Sequence, residues 1–432
     1  MASFFIPLTG LESDSTALNT IANDLSNMNT TGFKSQTTDF SDLFYQQIGS
    51  TGDGDPIQVG AGVQVASNET LFNQGSINST GNSTDVALNG SGFFVVGNGQ
   101  GGYEYTRAGN FSLDSNGDLV TSNGLSVMGY PAANGVVNTT APLTAVNIPV
   151  GAVEMPQATS TMSMTANLDS TTATGTAFPA QVTVYDSLGL AHIATVTYTA
   201  EGNNTWGYSV ALPGADYPAA TGAPAAVTGT MQFDANGNLT TVTPAGGAAV
   251  TVGTAVGDVA SINLPLSTAV NPLADGSTAL TIQWNLLGPS GTPAISQVDA
   301  GSAVTATVQN GYATGEYQSF SIGSDGTVTA SYSNGQQQNV GQLALANVRN
   351  LDGLSLLGDG DYATTRASGT AVVGISGTGG LAAMQDDALE ASNVNISTEF
   401  SDLIIAQRAF EANAKSVTTF DTVTQDTINM VH

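Results

Sequence analysis

The feature that most constrains this chain is a helix-forming segment at each end, with a long β-patterned stretch between them. In "LNTIANDLSNMNTTGFKSQ" (18–36) and the residues just before it, apolar side chains recur at three-, four- and seven-residue spacing and therefore share one helix face. They are Leu11, Leu18, Ile21, Leu25 and Met28. The seven-residue series is typical of a coiled-coil seam. Such a face needs a cover, and no neighbouring segment of the sequence provides one.

The other end of the chain carries a second apolar stripe. After about Gly380 the pattern turns helical, and apolar residues recur at multiples of seven with others between them: Leu389, Leu403, Ala406, Phe410, Val417 and Phe420. A single terminal helix usually packs on its own domain. Here two such segments bracket β-structure, which favours the interpretation that the two stripes cover each other.

Composition and charge exclude several classes of function. The chain has 432 residues, 41% of them hydrophobic, so we expect a globular protein of more than one domain. It has no cysteine and two histidines, which excludes disulfides and thiolate metal sites and leaves little for acid–base catalysis. The formal net charge of −28 disfavours nucleic acid and anionic membranes as partners. Because like charges repel, self-assembly would have to rest on specific apolar seams.

The start of the chain and its hydropathy bear on its location. "MASFFIPLTGLESDS" has no basic region before its short apolar run, so we expect no cleaved secretory signal. No apolar run is long enough for a transmembrane helix, and no membrane insertion is expected. The chain is therefore expected to be cytoplasmic or exported without a cleaved signal.

The middle of the chain is patterned as β-strands. Alternating apolar residues flank Asp-Asn-Gly turns in "DSNGD" (114–118) and "FDANGNLTTV" (233–242). Over about 150–305 the composition shifts to Ala, Thr, Pro and Gly and then returns, as it would for a module inserted into another domain. We expect a mainly β multidomain protein whose N- and C-terminal α-helices form a coiled-coil-like domain, with the β domains nested by insertion. The expected borders are 1–30 and 390–432 for the helical domain, 31–70 for an extended linker, 71–149 and 306–389 for a β-rich middle domain, and 150–305 for an inserted outer β domain.

No set of residues indicates catalysis. "DSNGD" lacks the spacing of an EF-hand calcium loop, and a hairpin turn explains it better. "GNGQGG" (97–102) lacks the lysine and hydroxyl of a phosphate loop and precedes no helix. His192 lies on an alternating strand beside Asp186 with no evident partner set, and we expect a packed or solvent-facing sheet residue. We therefore expect no enzyme, no cofactor and no metal site.

Two expectations concern charged residues near the helices. Lys34 is expected either to complement the helix dipole or to lie exposed in a loop. Arg408 and Lys415 are expected to pair with Asp14 or Asp24 across the two helices. Such surface pairs add under about 1 kcal/mol and would set register.

Both ends of the chain resemble the signatures of the flagellar rod and hook family of axial proteins. "LNTIANDLSNMNTTGFKS" is similar to the N-terminal signature at Asn27, Thr31, Gly32, Phe33 and Lys34. "LEASNVNISTEFSDLIIAQRAFEANAKSVTTFD" is similar to the C-terminal one at Ser392, Asn393, Val394, Gln407, Arg408 and Lys415. Within the family, "VTVYDSLGLAHIATVTYT" (182–199) and "ASYSNGQQQNVGQLALANVRNLDGL" (330–354) resemble stretches of the hook subunits.

The resemblance implies a structural subunit of the bacterial flagellar hook, a flexible tubular universal joint that passes motor torque to the filament. The implied partners are copies of the same chain in a helical homopolymer, the distal rod protein, the hook cap and the hook–filament junction proteins. It also implies export through the flagellar type III apparatus, without a cleaved signal, to the extracellular hook.

The paired helices are then expected to meet the same pair in neighbouring copies. The residues expected at this subunit interface are Leu11, Leu18, Ile21, Leu25, Met28, Leu403, Phe410, Val417 and Phe420. One alternative is a distal rod protein of the same family, which lacks a large inserted middle. Another is a secreted β-rich adhesin that binds through 150–305 and has no need of matched helical ends. A calcium-dependent hydrolase lacks the residues it would require.

Overall fold

The computed structural model describes residues 4–50, 53, 55–253, 260–288 and 291–430. Over these residues the chain is mostly β, with 43% strand and a helix at each end. It divides into two compact units. The first unit contains residues 1–150, 319–331 and 337–432, and the second contains 151–318 and 332–336. The expectation of a mainly β, multidomain chain with helical ends is confirmed.

The first unit begins with helix α1, Phe5–Ser26, and continues in short strands. They are β1 (Gln36–Asp42), β2 (Gln46–Ser50), β3 (Pro56–Val59), β4 (Val63–Thr70), β5 (Ile77–Ser79), β6 (Val86–Asn89), β7 (Phe93–Gly97), β8 (Tyr103–Thr106), β9 (Ser112–Leu113), β10 (Leu119–Val120), β11 (Ser126–Ala133), β12 (Val136–Val137) and β13 (Thr144–Ala145). The loop "GNGQGG" joins β7 to β8 as a hairpin. "DSNGD" also forms a hairpin turn, because the Asp114 carboxylate accepts hydrogen bonds from the N–H groups of Asn116 and Asp118.

All strands of the second unit except β14 (Val153–Glu154), which pairs with Gly315–Ile322, form two sheets. Its strands are β14 (Val153–Glu154), β15 (Thr161–Asp169), β16 (Ala177–Tyr185), β17 (Ala191–Gly202), β18 (Thr205–Ala211), β19 (Val227–Phe233), β20 (Leu239–Pro244), β21 (Val250–Thr251), β22 (Ser261–Pro265), β23 (Thr281–Asn285), β24 (Ile295–Val298) and β25 (Ala303–Gln309). Strands β16 to β21 form an antiparallel meander in chain order. In the other sheet the order is β22-β23-β15-β24, with β25 also paired to β15.

The core of the second unit lies between its two sheets. Burial alternates along β15, β17 and β18, so each strand turns one row of side chains inward. Trp284 of one sheet is fully buried, and its ring lies 5.7 Å from Tyr208 and 6.4 Å from Tyr198 of the other. The aromatic contacts therefore join the two sheets face to face.

The rest of the chain supplies strands and the second helix. They are β26 (Gly315–Ile322), β27 (Thr327–Tyr332), β28 (Gln337–Leu343), β29 (Leu345–Asn347), β30 (Ser355–Gly358), β31 (Asp361–Ala363), β32 (Val372–Gly374), β33 (Ala383–Asp386), β34 (Ala388–Glu390) and α2 (Ile396–Met430). In the first unit the main sheet follows the order β27-β28-β11-β7-β8-β31-β30. Its core includes the clustered rings of Phe93, Phe72 and Tyr362.

Two segments differ from the sequence-based expectations. The region after Gly380 is not yet helical, because β33 and β34 pair with β6 and β5. Helix α2 begins only after Asn395, whose side-chain oxygen accepts the N–H of Ser397 as an N-cap. Leu389 therefore lies in a strand and outside the helical stripe. The expected linker 31–70 contains two antiparallel pairs, β1 with β4 and β2 with β3, which satisfy its backbone groups.

Candidate functional site

The terminal helices α1 and α2 lie against each other in the first unit, and α1 also contacts strands β1 and β4. The buried residues of α1 are small or polar: Pro7, Gly10, Ser13, Thr20 and Asp24. A Cβ added at Gly10 would lie 2.6 Å from Asn413 Nδ2, so glycine allows α2 to approach closely. Asn413 Nδ2 donates to Asp14 Oδ2 at 2.8 Å. The rings of Phe4 and Phe420 lie 6.0 Å apart further along the pair.

The apolar residues expected at a subunit interface lie beside this contact. Leu11, Leu18, Ile21, Leu25, Leu403, Val417 and Phe420 are half-buried, and Met28 and Phe410 are exposed. The leucine series is offset by one residue from the line that Gly10 and Asp24 follow into the contact. The two helices therefore cover each other only in part, and contact between these residues and a neighbouring copy remains a prediction.

Large apolar side chains outside the seven-residue pattern are also exposed on both helices. Phe5 is 71% exposed and Ile405 is 64% exposed. Others are Ile6, Leu8, Phe400, Ile404 and Val423. The sequence "LII" (403–405) indicates that some apolar side chains lie outside a single stripe. Consecutive residues of a helix with about 3.6 residues per turn point in different directions, so three apolar residues in a row cannot share one face. Among the described residues, neither helix is long and apolar enough to cross a lipid bilayer.

A buried ion cluster lies where both ends of the chain meet the strands of the first unit. Lys34 Nζ lies 2.6 Å from Glu390 Oε1, and Arg107 Nη1 lies 3.2 Å from Glu390 Oε2. The three side chains are at most 4% exposed. Lys34 Nζ also donates to the carbonyl of Asn73, and Arg107 Nη2 to that of Gly90. Both expectations for Lys34 are wrong. The side chain is buried, and it pairs with Glu390 from the far end of the sequence.

The electrostatics of the cluster depend on Glu390. Burial lowers the pKa of Lys34, and the hydrogen bond and charge of Glu390 oppose that change. Burial likewise lowers the pKa of Arg107, again against the effect of Glu390. One carboxylate thus compensates two buried cations, and its loss would leave both without a counter-ion.

Signature residues next to the cluster tie the two chain ends together. Gly32 has a φ of 67°, and its N–H donates to the backbone carbonyl of Glu390 at 2.8 Å. A Cβ at Gly32 would lie 2.6 Å from the carbonyl carbon of Arg107. The Asn393 side-chain oxygen accepts the N–H of Ser35 at 2.8 Å. Its NH₂ group donates to the backbone carbonyls of Leu71 and Asn73, which follow strand β4. The segments after α1 and before α2 are therefore held as one joint.

The other signature residues are more local or exposed. Asn27 caps the end of α1 by donating to the carbonyl of Asn23, and Thr31, Phe33, Ser392 and Val394 are half-buried around the joint. Gln407, Arg408 and Lys415 are exposed on α2.

The expected ion pairs across the helices are not formed among the described residues. Arg408 pairs with Glu411 on its own helix at 3.0 Å, because residues three apart on a helix are neighbours. Asp14 accepts from Asn413, and Asp24 accepts from the backbone N–H of Gln36. The prediction that Arg408 and Lys415 pair with Asp14 or Asp24 is therefore wrong.

Asp24 is a buried carboxylate of α1 that contacts strand β1. Its Oδ2 accepts the N–H of Gln36 at 2.8 Å, and its Oδ1 has no hydrogen-bond partner in the described part of the chain. Burial raises the pKa of Asp24 to about 6, although the Gln36 hydrogen bond acts in the opposite direction. Burial, followed by the charges of Asp24 and Asp402, also raises the pKa of Glu399 on α2. Acidic groups therefore repel one another in this part of the contact.

The substitution Asp24→Asn should stabilise the first unit at neutral pH. The folded carboxyl group, with its pKa of about 6, keeps a proton that the unfolded chain, with a value of 3.8, releases. The proton therefore stabilises the fold below that unfolded value, and this contribution is lost as the pH rises through about 6. Between about pH 7 and pH 4, the wild-type chain should gain on the order of 2 kcal/mol relative to the variant. Urea unfolding followed by circular dichroism at several pH values measures the difference.

The matched control is Asp39→Asn, which removes an exposed carboxylate from β1, the strand whose Gln36 donates to Asp24. This variant should keep the pH dependence of the wild-type chain. If Asp24→Asn kept it as well, Asp24 would not be the group that titrates.

His192 in the second unit is a packed sheet residue, as one of the two expectations had it, but it has carboxylate partners that the sequence did not indicate. His192 is only 4% exposed, and its ring nitrogens face Asp216 and Asp186 at 2.9 and 3.3 Å. Asp216 lies twenty-four residues away on another loop, so the strand pattern around His192 carries no signal for it.

Family models match four parts of the chain. Residues 8–34 match a model described as "Flagella basal body rod protein", and residues 385–430 match "Flagellar basal body rod FlgEFG protein C-terminal". Residues 87–167 match "Flagellar hook protein FlgE/F/G D1 domain", and residues 157–312 match "Flagellar basal body protein FlaE D2 domain". The joint and both helices therefore lie in or beside the terminal matches.

The chain is also similar to whole proteins. It is 35% identical to the flagellar hook protein FlgE of Salmonella typhimurium, over 99% of this chain and 100% of that protein. It is 33% identical to the flagellar hook protein FlgE of Treponema pallidum, over 100% and 99% of the two chains. The crystal structure of the Helicobacter pylori flagellar hook protein FlgE2 superposes with a TM-score of 0.53 at 13% identity, over 73% of this chain and 100% of that one, and shows a common fold.

Proposed function

The chain belongs to the flagellar hook protein FlgE family, and from this premise we propose that it is the structural subunit of a bacterial flagellar hook. The observation that carries the proposal is that α1 and α2 pair with each other while large apolar side chains remain exposed on both. Exposed apolar side chains do not stabilise an isolated chain, here one with a net charge of −28, so they mark an interaction surface. Copies of the same chain would cover these side chains in a helical homopolymer.

The proposed inner tube forms from the terminal helices of neighbouring subunits. The half-buried Leu11, Leu18 and Leu25 and the exposed Phe5 and Ile405 supply its contacts. Burial contributes roughly 25 cal/mol per Å² of apolar surface, which over many neighbours outweighs the repulsion between acidic chains. The buried ion cluster of Lys34, Glu390 and Arg107 holds the helices at a set place relative to the strands of the first unit.

The proposed division of the chain follows the same scheme. Residues 1–30 and 390–432 form the inner tube, and 31–70 connects it to a middle domain of 71–149 and 306–389. Residues 150–305 form the outer domain. The distal rod protein, the hook cap and the hook–filament junction proteins contact the two ends of the tube. The subunit leaves the cell through the flagellar type III apparatus without a cleaved signal.

As a universal joint, the hook has to bend while it transmits torque, so its outer contacts shorten and lengthen in every turn. Charged residues make up only 9% of this chain, so polar uncharged surfaces would slide past one another with few ion pairs to break. The bending stiffness of isolated hooks should then change little between low and high salt, as measured by fluctuation analysis of single hooks. Strong stiffening or softening in salt would indicate ionic outer contacts instead.

Deletion of the gene, with complementation by an epitope-tagged chain, tests the function. The tag is placed at Thr221, which is exposed in a loop of the second unit. We expect non-motile cells without filaments, and immunogold label along the whole curved hook after complementation. Label confined to the straight rod would support the distal rod alternative. Normal swimming after deletion would support a secreted adhesin and contradict the proposal.

A further inference from the structure

Three loops of the second unit bring one histidine and three carboxylates together. Asp186 and His192 flank the turn between β16 and β17, Asp216 ends a 3₁₀ turn at Gly214–Asp216, and Asp275 lies in the loop before β23. Asp186, His192 and Asp275 each place one potential ligand atom within 4.8 Å of the other two. The first two are buried and Asp275 is exposed, so the group opens to solvent on one side.

The contact made by His192 Nδ1 orients the ring and so determines where Nε2 points. Nδ1 lies 2.9 Å from Asp216 Oδ2, which orients the ring and favours a proton on Nδ1. On the other side of the ring, Nε2 lies 3.3 Å from Asp186 Oδ2, and in the tautomer with its proton on Nδ1 it presents a lone pair there. A histidine held by a carboxylate in this way is the usual arrangement behind a metal-ligating nitrogen.

The two other candidate ligands are held in place by backbone groups. Asp186 Oδ1 accepts the N–H groups of Leu188 and Leu190, both at 2.9 Å, and this leaves Oδ2 for the centre of the group. Asp275 Oδ1 accepts the N–H of Ser277 at 3.0 Å. Asp275 offers a carboxylate oxygen within 4.8 Å of the ligand atoms of Asp186 and His192.

One ligand–ligand distance and the donor types fit a small divalent ion. Zinc ligands lie at about 2.0–2.2 Å, so two of them in a tetrahedron are separated by about 3.3 Å. The gap between His192 Nε2 and Asp186 Oδ2 is 3.3 Å. One imidazole and two carboxylates suit zinc or a similar transition metal, whereas calcium requires six or more oxygen ligands.

We propose that Asp186, His192 and Asp275 bind one divalent transition-metal ion of the zinc type, with water completing its coordination. Asp216 acts as a positioning residue for His192. The ion would neutralise the clustered carboxylates and link the turn after β16 to the loop before β23. This is a structural metal site, and it is independent of the proposed polymerisation through the helices.

Zinc titration of the full chain tests the site. The purified protein is first stripped with a chelator, and binding of Zn²⁺ is measured by calorimetry. We expect one tight site per chain, which excess Ca²⁺ does not displace. Asp275→Asn should weaken it about tenfold or more, because a charged ligand is lost. Asp275 is exposed, so the variant should fold, and circular dichroism checks this.

The matched control is Asp299→Asn, which removes an exposed carboxylate elsewhere in the second unit. It should leave the zinc affinity unchanged. Equal zinc affinity of Asp275→Asn and the wild-type chain would mean diffuse binding to an acidic surface and would overturn the proposal. So would ¹⁵N NMR spectra showing His192 protonated on both nitrogens in the presence of zinc, as an imidazolium that bridges two aspartates.

Discussion

Replacement of Glu390 with alanine should destabilise the first unit by about 3–5 kcal/mol. The carboxylate is fully buried and is the partner of both Lys34 and Arg107. Its removal leaves two buried cations without a counter-ion, and Arg107 cannot release its proton to escape the penalty. Urea unfolding followed by far-ultraviolet circular dichroism measures the loss. Tryptophan fluorescence should show a smaller change, because both tryptophans, Trp206 and Trp284, lie in the second unit.

Glu411→Ala is the matched control for this prediction. Glu411 also pairs with an arginine, Arg408, but the side chains of this pair are 65% and 77% exposed. The substitution should change the free energy of unfolding by less than about 1 kcal/mol. A double variant that also replaces Lys34 with methionine should recover part of the loss caused by Glu390→Ala, since one unpaired charge is removed. Equal effects of Glu390→Ala and Glu411→Ala would show that the cluster does not hold the joint.

Deletion of residues 1–30 should abolish polymerisation and leave a folded, monomeric β body. The deletion removes α1 and with it the partner of α2, but it keeps Gly32 and Lys34 and therefore the joint with Glu390. The remaining helix α2 has no fully buried residue and should lose much of its helical structure, since an isolated helix is only marginally stable in water. Analytical ultracentrifugation and electron microscopy measure assembly, and circular dichroism measures the retained strands.

A single substitution separates assembly from folding. Ile404 is 57% exposed on α2, so Ile404→Asp should leave the stability of the monomer nearly unchanged. In a polymer, the same carboxylate would be buried in an apolar seam and should reduce assembly strongly. Thr418→Asp, at an exposed polar position of the same helix, adds the same charge as a control. Polymerisation of the truncated chain, or unchanged assembly of Ile404→Asp, would contradict the proposed inner tube.

Features that depend on neighbouring residues were predictable from the sequence. The three- and four-residue spacing of apolar side chains predicts α1 and most of α2, and alternation with Asp-Asn-Gly turns predicts the strands. The turns at Asp114 and Asp234 form as expected, because each aspartate accepts N–H groups only two and four residues ahead. Asn395 is a residue type that commonly caps a helix and so indicates where α2 starts. The stripe of apolar residues, which included Leu389, predicted an earlier start.

The contact between the helices shows where a correct pattern gives an incomplete answer. The leucine series indicates that α1 has an apolar face, yet α2 approaches α1 closely at Gly10, where an added Cβ would lie 2.6 Å from Asn413 Nδ2. Two helices approach most closely where side chains are small, and this depends on the partner rather than on one helix alone. The leucines are therefore left half-buried, and this is the reason to expect further copies around the pair.

The type of each element is determined by local sequence, because hydrophobic periodicity, caps and turns act over a few residues. The composition alone also determines the sign and size of the formal net charge. Only the folded chain decides that Lys34 is buried, since its partner Glu390 lies 356 residues away and Arg107 lies 283 residues before Glu390. The same holds for His192, which meets carboxylates from separate loops. A buried charge is stable only where distant segments bring its counter-charge, and no spacing in the sequence encodes that meeting.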